Sequence, residues 1–324
     1  MNRRQFSTLL VGSGAAGLCV ARTNWRLATG YRRESFHTVN LMAMALDAGA
    51  ATQGELQIEI HPNNTMVKLN DMRAAVERGE VEAGETIMSS LVGEIPIAGA
   101  DSVPFIVGSY ADARRMWRHQ RPLIERHFAQ RGLRVLYAVP WPPQGLYSSK
   151  PIASAADLKG SRMRTYNATT ARIAALVGAQ GIDVTMVEVG QALADGRIDS
   201  MITSAVTGVE NKVWSHLKYY YEVNAWFPKN IVFANLNALN ALEPRLRDGL
   251  LKASAAAEVR GWAASEAAAA SSVEELRRNG MKVERVAREF ALEIKRLGER
   301  FSLEWIRQVG NEANDIFVPY FTLA

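Results

Sequence analysis

Three groups of residues in this 324-residue chain have types and spacing that suit chemistry. The first is Gly12-Ser13-Gly14-Ala15-Ala16-Gly17, a literal G-x-G-x-x-G. In a dinucleotide-binding protein such glycines let the backbone approach a pyrophosphate at a helix N-terminus. That use needs a preceding strand and an acidic residue about 20 positions later, closing the next strand. Here the strand would be only Phe6 to Val11, and residues 24–35 are polar and broken by Gly30. The same stretch has a second reading. Arg3-Arg4-Gln5-Phe6, an apolar run from Thr8 to Ala21 and the small residues around Cys19-Val20-Ala21 form the three parts of an export signal of the twin-arginine type. The expected cut follows Ala21. Cys19 follows Leu18 rather than a small residue, which disfavours a lipid anchor. A dinucleotide-dependent oxidoreductase built on residues 12–17 is the competing reading.

The second group is the five histidines, His37, His61, His119, His127 and His216. None has the H-x-x-x-H or C-x-x-C spacing of a metal site, so no metal is expected. Cys19, the single cysteine, falls within the export segment. The chain has neither a G-x-S-x-G elbow nor a G-x-x-x-x-G-K-[ST] phosphate loop. A catalyst is therefore not expected, and no cofactor. The third group is Arg162 and Arg164, two residues apart on an expected strand and so on one side of it. By spacing alone an arginine at a strand end reads as a surface ion pair contributing about 0–1 kcal/mol.

The rest of the chain bounds what these groups can serve. Apolar residues make up 48% and charged residues 22%, an ordinary globular balance that excludes wholesale disorder. Past the export segment 36 basic residues face 33 acidic ones, without the clustered face that binds nucleic acid. No later apolar run approaches the ~18 residues of a spanning helix. Glu55–Ile60 alternates like a half-buried strand. A helix capped by Asn70 runs to Gly79, a strand covers 81–87, a helix runs from Asp112 to Arg131, and Leu133–Val139 is a strand. The alternation restarts after Trp141-Pro142-Pro143-Gln144. Ser154–Asp157 reads as a capping box, Ser161–Tyr166 as a strand, Ala168–Val177 as a helix and Val184–Val187 as a strand. A helix follows at Glu188–Gly196 and a strand at Asp199–Thr203. Strands alternating with helices predict two α/β units with mostly parallel sheets. Pro244 to Asn279, rich in alanine and stopped by Gly280, predicts one helix of roughly 50 Å, long enough to brace both units.

The run Asp157-Leu158-Lys159-Gly160-Ser161-Arg162-Met163-Arg164, then Gly178-Ala179, Glu188 and Gly196-Arg197-Ile198-Asp199, resembles the solute-binding proteins of tripartite ATP-independent periplasmic (TRAP) transporters. Pro96, Pro104 and the late long helix agree with that pattern. The resemblance implies a two-domain periplasmic binding protein with a central cleft, crossing hinge strands and a helix spanning both domains. The domains would be 22–141 plus 229–268 and 142–228 plus 269–324, after a signal peptide at 1–21. It implies a periplasmic monomer that captures a small organic acid and delivers it to the membrane permease subunits of an ion-driven TRAP transporter. A sensory role for the same fold is an alternative.

In this family the arginine closing the Lys-Gly-x-x-x-Arg block grips the ligand carboxylate, which here is Arg164, with Arg162 as the fallback. A guanidinium fork pairs a carboxylate through two parallel hydrogen bonds. Asn167 matches a frequent family asparagine. Gln144 stands where some sugar-acid binders carry a second arginine, and Thr203 where they carry an asparagine. Fewer cations argue against a dianion and for a monocarboxylate with an apolar or aromatic portion. Trp141, Tyr166, Met186, Trp226 and Phe227 are further expected wall residues, with Tyr31 and Met88 from the first domain. Trp226 and Phe227, adjacent in extended chain, face opposite ways, so one of them is expected in the cleft.

Overall fold

The computed structural model describes residues 22–322; the expected export segment, with the glycine motif and Cys19, lies outside them. Among the described residues eleven strands form two sheets. β1 (Thr23–Thr29), β2 (Leu56–His61), β3 (Ala83–Ile87), β4 (Leu133–Pro140) and β10 (Lys229–Asn235) make the first, in the order β2-β1-β3-β10-β4. β5 (Gln144–Ser148), β6 (Arg162–Thr165), β7 (Gln180–Asp183), β8 (Ser200–Ser204), β9 (Tyr219–Tyr221) and β11 (Lys282–Glu284) make the second, in the order β11-β9-β5-β8-β6-β7. The helices are α1 (Phe36–Ala51), α2 (Met72–Glu77), α3 (Tyr110–Ala129), α4 (Ala168–Leu176), α5 (Val189–Ala194), α6 (Ala205–Glu210), α7 (Leu236–Ala241), α8 (Pro244–Arg278), α9 (Arg288–Val309) and α10 (Asn311–Thr322).

The sheets are mixed rather than mostly parallel. β10 runs antiparallel to both β3 and β4, and β5 antiparallel to both β8 and β9. The reason is the crossing. Chain leaves the first lobe at Pro140, the end of β4, and returns at Lys229, which sits opposite Pro140. A strand that enters a sheet from the cleft side must run back against those that end there. The two crossing segments bind each other: Trp141 N donates to Pro228 O at 2.7 Å and Ala225 N to Gln144 O at 2.9 Å.

β1 is an inner strand of the first sheet although its sequence, TNWRLAT, reads as polar. Trp25, Leu27 and Ala28 are buried, while Arg26 is satisfied by Glu82 through its own N–H at 2.7 Å and its guanidinium at 2.8 Å. β7 lies four residues before the expected strand at 184–187, where the chain instead turns into a short 3-10 segment, Met186–Glu188. As a largely exposed edge strand, β7 lacks the apolar alternation that marks an inner one.

α8 runs 35 residues, roughly 52 Å at 1.5 Å per residue. It packs along α1 and β4 and reaches α6 of the second lobe. A Cβ on Gly261 would stand 2.3 Å from Val139 Cγ2, so glycine there sets how closely the helix lies on the sheet. A second bridge was not foreseen. α9 buries Phe290 in the second lobe's core and Phe301 and Trp305 in the first lobe's. α10 then packs on α3 with Ile316, Phe317 and Tyr320 in that first core. The sequence division placed all of 269–324 with the second unit; the structure packs 301–322 on the first.

Candidate functional site

Between the lobes lies a cavity of about 70 Å³, enough for roughly five waters. It opens at the carboxyl ends of β1, β3, β6 and β7, where open α/β sheets place their ligands. Arg164, Tyr31, Trp141, Gln144, Tyr166, Met186 and Thr203 all line it.

Arg164 on β6 is 3% exposed. Its Nε donates to Val184 O at 2.9 Å, and its guanidinium lies over the Tyr166 ring, 4.8 Å from the centroid. Among the described residues no carboxylate lies within ion-pair distance of it, and its two Nη groups make no hydrogen bond. Burial pulls its pKa down to about 10, against the opposing influence of Tyr166 and Asp183. A charge kept in the interior without a partner is costly. Arg162 is elsewhere: it is exposed and held by Asp199, through its backbone N–H at 2.9 Å and its Nε at 3.1 Å.

Gln144 is spent on its neighbours. Its Nε2 donates to Pro142 O at 2.9 Å and its Oε1 accepts from Tyr166 OH at 3.1 Å, so it fixes the ring beneath Arg164. The opposite wall is fixed from behind. Asn230 Oδ1 accepts from both Tyr31 OH, at 3.1 Å, and Trp141 Nε1, at 2.8 Å. Asn230 Nδ2 donates to Glu85 Oε1 at 3.0 Å, and Thr29 Oγ1 donates to Glu85 Oε2 at 2.6 Å. One buried carboxylate thereby orients the amide that aligns two aromatic walls. Burial and the nearby Glu85 push the Tyr31 hydroxyl far up, so it acts as a neutral donor.

Four expected wall residues lie outside this cavity. Trp226 is wholly buried in the second lobe's core and Phe227 in the first lobe's. The expectation that one of them faces the cleft is therefore corrected. Opposite orientation in extended chain, at a point where the chain crosses between lobes, sends one ring into each core. Met88 is buried among the first lobe's apolar residues. Asn167 caps α4, its Oδ1 accepting from Thr170 N at 2.9 Å, and lines a neighbouring space. Sequence reasoning missed Asp183, Val184, Thr185, Ile87 and Thr207, all in the lining. Ending β7 at Asp183 would have marked the loop 183–186 as cleft, by the strand-end rule.

Arg32 ties the lobes at the rim. It leaves the first lobe and donates to Glu210 O at 2.8 Å, Val187 O at 3.0 Å and Asn211 Oδ1 at 3.2 Å. Beside it, burial raises the Glu210 carboxyl to about 7, opposed by the positive charge of Arg32. A carboxyl raised on folding favours the folded state most below its unfolded pKa, and that benefit is lost as pH climbs through 7. We expect stability to fall between about pH 5 and 8 by up to ~3 kcal/mol from this group. Glu210→Gln should flatten that slope in urea titrations at pH 5, 6.5 and 8; an unchanged slope would place its origin elsewhere.

Among the described residues no cluster of three or more His, Cys, Asp or Glu could hold a metal, and no helix is long and apolar enough to cross a membrane. Residues 33–300 match the bacterial extracellular solute-binding proteins of family 7, DctP. The chain belongs to this family. DctP7 of Bordetella pertussis, an extracytoplasmic solute receptor binding pyroglutamic acid, is 36% identical, with a TM-score of 0.91 over 93% of this chain and 100% of that one. A marine metagenome TRAP solute-binding protein specific for pyroglutamate is 34% identical, with a TM-score of 0.90 over 93% of this chain and 99% of that one. A TRAP protein of Desulfovibrio salexigens with bound orotic acid, 19% identical at a TM-score of 0.83 over 92% and 97% of the two chains, shares the fold. A solute-binding protein of Albidiferax ferrireducens is 25% identical over 166 residues, a match spanning 50% of this chain and 48% of that protein. The family is one of binding receptors, and the two lobes around a cleft described above are its fold.

Proposed function

We propose that this DctP protein is a periplasmic receptor for a small monocarboxylate of the pyroglutamate type. It is freed from its export signal near Ala21 and works as a non-catalytic monomer. It hands its ligand to the membrane permease subunits of a TRAP transporter. The observation that carries this reading is the Arg164 guanidinium, buried with both Nη groups uncommitted in the cleft between the lobes. A carboxylate would meet that fork through two parallel hydrogen bonds and remove the cost of an unpaired charge. Tyr31, Trp141, Tyr166 and Met186 offer aromatic and thioether surface to the ring of a lactam acid. A second carboxylate would find no further cation in the lining and would meet Asp183. The relatives that bind pyroglutamate are also more than 30% identical over nearly the whole chain.

Calorimetry on the chain beginning at Arg22 tests this with three probes: pyroglutamate, its carboxamide, and glutarate as a dianion of similar length. Pyroglutamate should bind at least about a hundredfold more tightly than either of the others, a difference of ~2.7 kcal/mol. Equal binding of the carboxamide would sink the carboxylate clamp. Tighter binding of glutarate would show that the cleft takes a dianion.

A further inference from the structure

Beyond the strand end that carries Arg164 and Tyr166, a second space opens between the lobes, of about 210 Å³. Ser89 of the first lobe, the start of α4 in the second, and Trp305 of α9 line it. Three of its polar side-chain atoms are buried without a partner, and each can donate. Ser89 Oγ, Asn167 Nδ2 and Trp305 Nε1 are buried and have no hydrogen-bond partner, in residues of which Ser89 is 5% and Trp305 6% exposed. Because Asn167 Oδ1 is committed to the Thr170 N–H, its free end is the amino group, and an indole N–H can only donate. The N–H groups of Ala168 and Thr169, in the first turn of α4, have no acceptor within the helix and form the positive end of its dipole. One carboxylate, Glu304, is in the lining, but Arg172 grips it with Nε at 3.0 Å and Nη2 at 2.8 Å, and Arg300 approaches it at 3.3 Å. Its charge is therefore already met.

Buried groups able to donate, from three elements lining one space whose acidic group is already paired, suit a ligand that brings acceptors. We infer that this space is a second binding site, for a small carboxylate or similar oxyanion. The anion is held between Ser89 on one lobe and Asn167 with the α4 N-terminus on the other. Donors from both lobes make its binding favour the closed arrangement. The site shares no cation with the cleft, so it stands apart from the Arg164 reading.

The test uses acetate as the probe and the Arg164→Ala variant, in which the cleft has lost its cation. Melting is followed at rising acetate concentration, with acetamide at the same concentrations as the neutral comparison. Acetate should raise the melting temperature saturably, by about 2 °C or more at high occupancy, and acetamide should not. Adding Asn167→Asp should abolish the rise. Aspartate caps α4 as well as asparagine does, so the fold is kept while the free donor becomes an anion facing the site. Trp305→Phe, which keeps the ring and removes the donor, should weaken the acetate response several-fold. A non-saturable response, or a rise that survives Asn167→Asp, would overturn the assignment.

Discussion

Arg164→Met should all but abolish acid binding and, in the ligand-free protein, raise stability. The two effects share one cause. The guanidinium is 3% exposed with no carboxylate paired to it, and burial holds its pKa at about 10, well under the ordinary arginine range. A depression of that size corresponds to about 3 kcal/mol of disfavoured charge. For a base whose folded pKa is lowered, the cost is present in full at every pH below that pKa. At neutral pH the empty protein therefore carries all of it. Methionine matches the length of the stem, removes the charge, and forgoes only the Nε bond to Val184 O and the contact with the Tyr166 ring. The net gain should be about 1–2 kcal/mol, read from urea unfolding of the two proteins without ligand. On the ligand side, removing one partner of a buried charge pair costs about 2–5 kcal/mol, at least thirtyfold in affinity. Calorimetry that finds pyroglutamate binding within tenfold of the parent would dismiss Arg164 as its partner. A less stable empty variant would mean that the guanidinium holds the fold rather than awaiting an anion.

What could be read in advance follows from how local each signal is. α8 was legible to within a residue because alanine-rich composition, Pro244 and Gly280 are all local, and Gly280 indeed adopts φ +82°. The capping box at Ser154–Asp157 is local too, and it is present. Arg164 entered through a run of neighbouring residues, and the structure places it in the cleft lining. β1 escaped because its polarity is satisfied by Glu82, 56 residues away. The direction of β5 and β10 escaped because it depends on where the chain re-enters a lobe, which no window of sequence records. Trp226 and Phe227 show the same limit: their opposite orientation was legible, but which side was cleft and which was core was not. Asn230 and Glu85, which align Tyr31 and Trp141, come from strands 145 residues apart. Nothing in either segment announces that they meet. A lysine and an asparagine ahead of the apolar run Ile231–Ala234 of β10 were the available hint that this strand begins at something polar.

That lysine carries the second large expected effect. Lys229 and Asp101 are both 0% exposed, with Nζ 3.2 Å from Oδ2 and the Lys229 backbone N–H donating to the same oxygen at 2.8 Å. Ser102 Oγ donates to Oδ1 at 3.1 Å, and the ammonium lies 5.8 Å from the Trp117 ring centroid. Burial raises the Asp101 pKa and lowers that of Lys229, so each is tolerated as an ion only because of the other. Lys229→Met should destabilise the protein by about 3–5 kcal/mol, because it leaves a carboxylate in the interior with only neutral donors. Asp101→Asn should cost a similar amount by stranding the ammonium. The double variant should recover much of the loss, giving a coupling of ~2 kcal/mol or more in urea unfolding. The pair also sits where the chain returns to the first lobe, one residue before Asn230. The single variants should therefore loosen Tyr31 and Trp141 and weaken acid binding, although neither residue lines the cleft. Additive losses in the double variant would show that the pair is not coupled. Full ligand affinity in the singles would show that the start of β10 does not position the site.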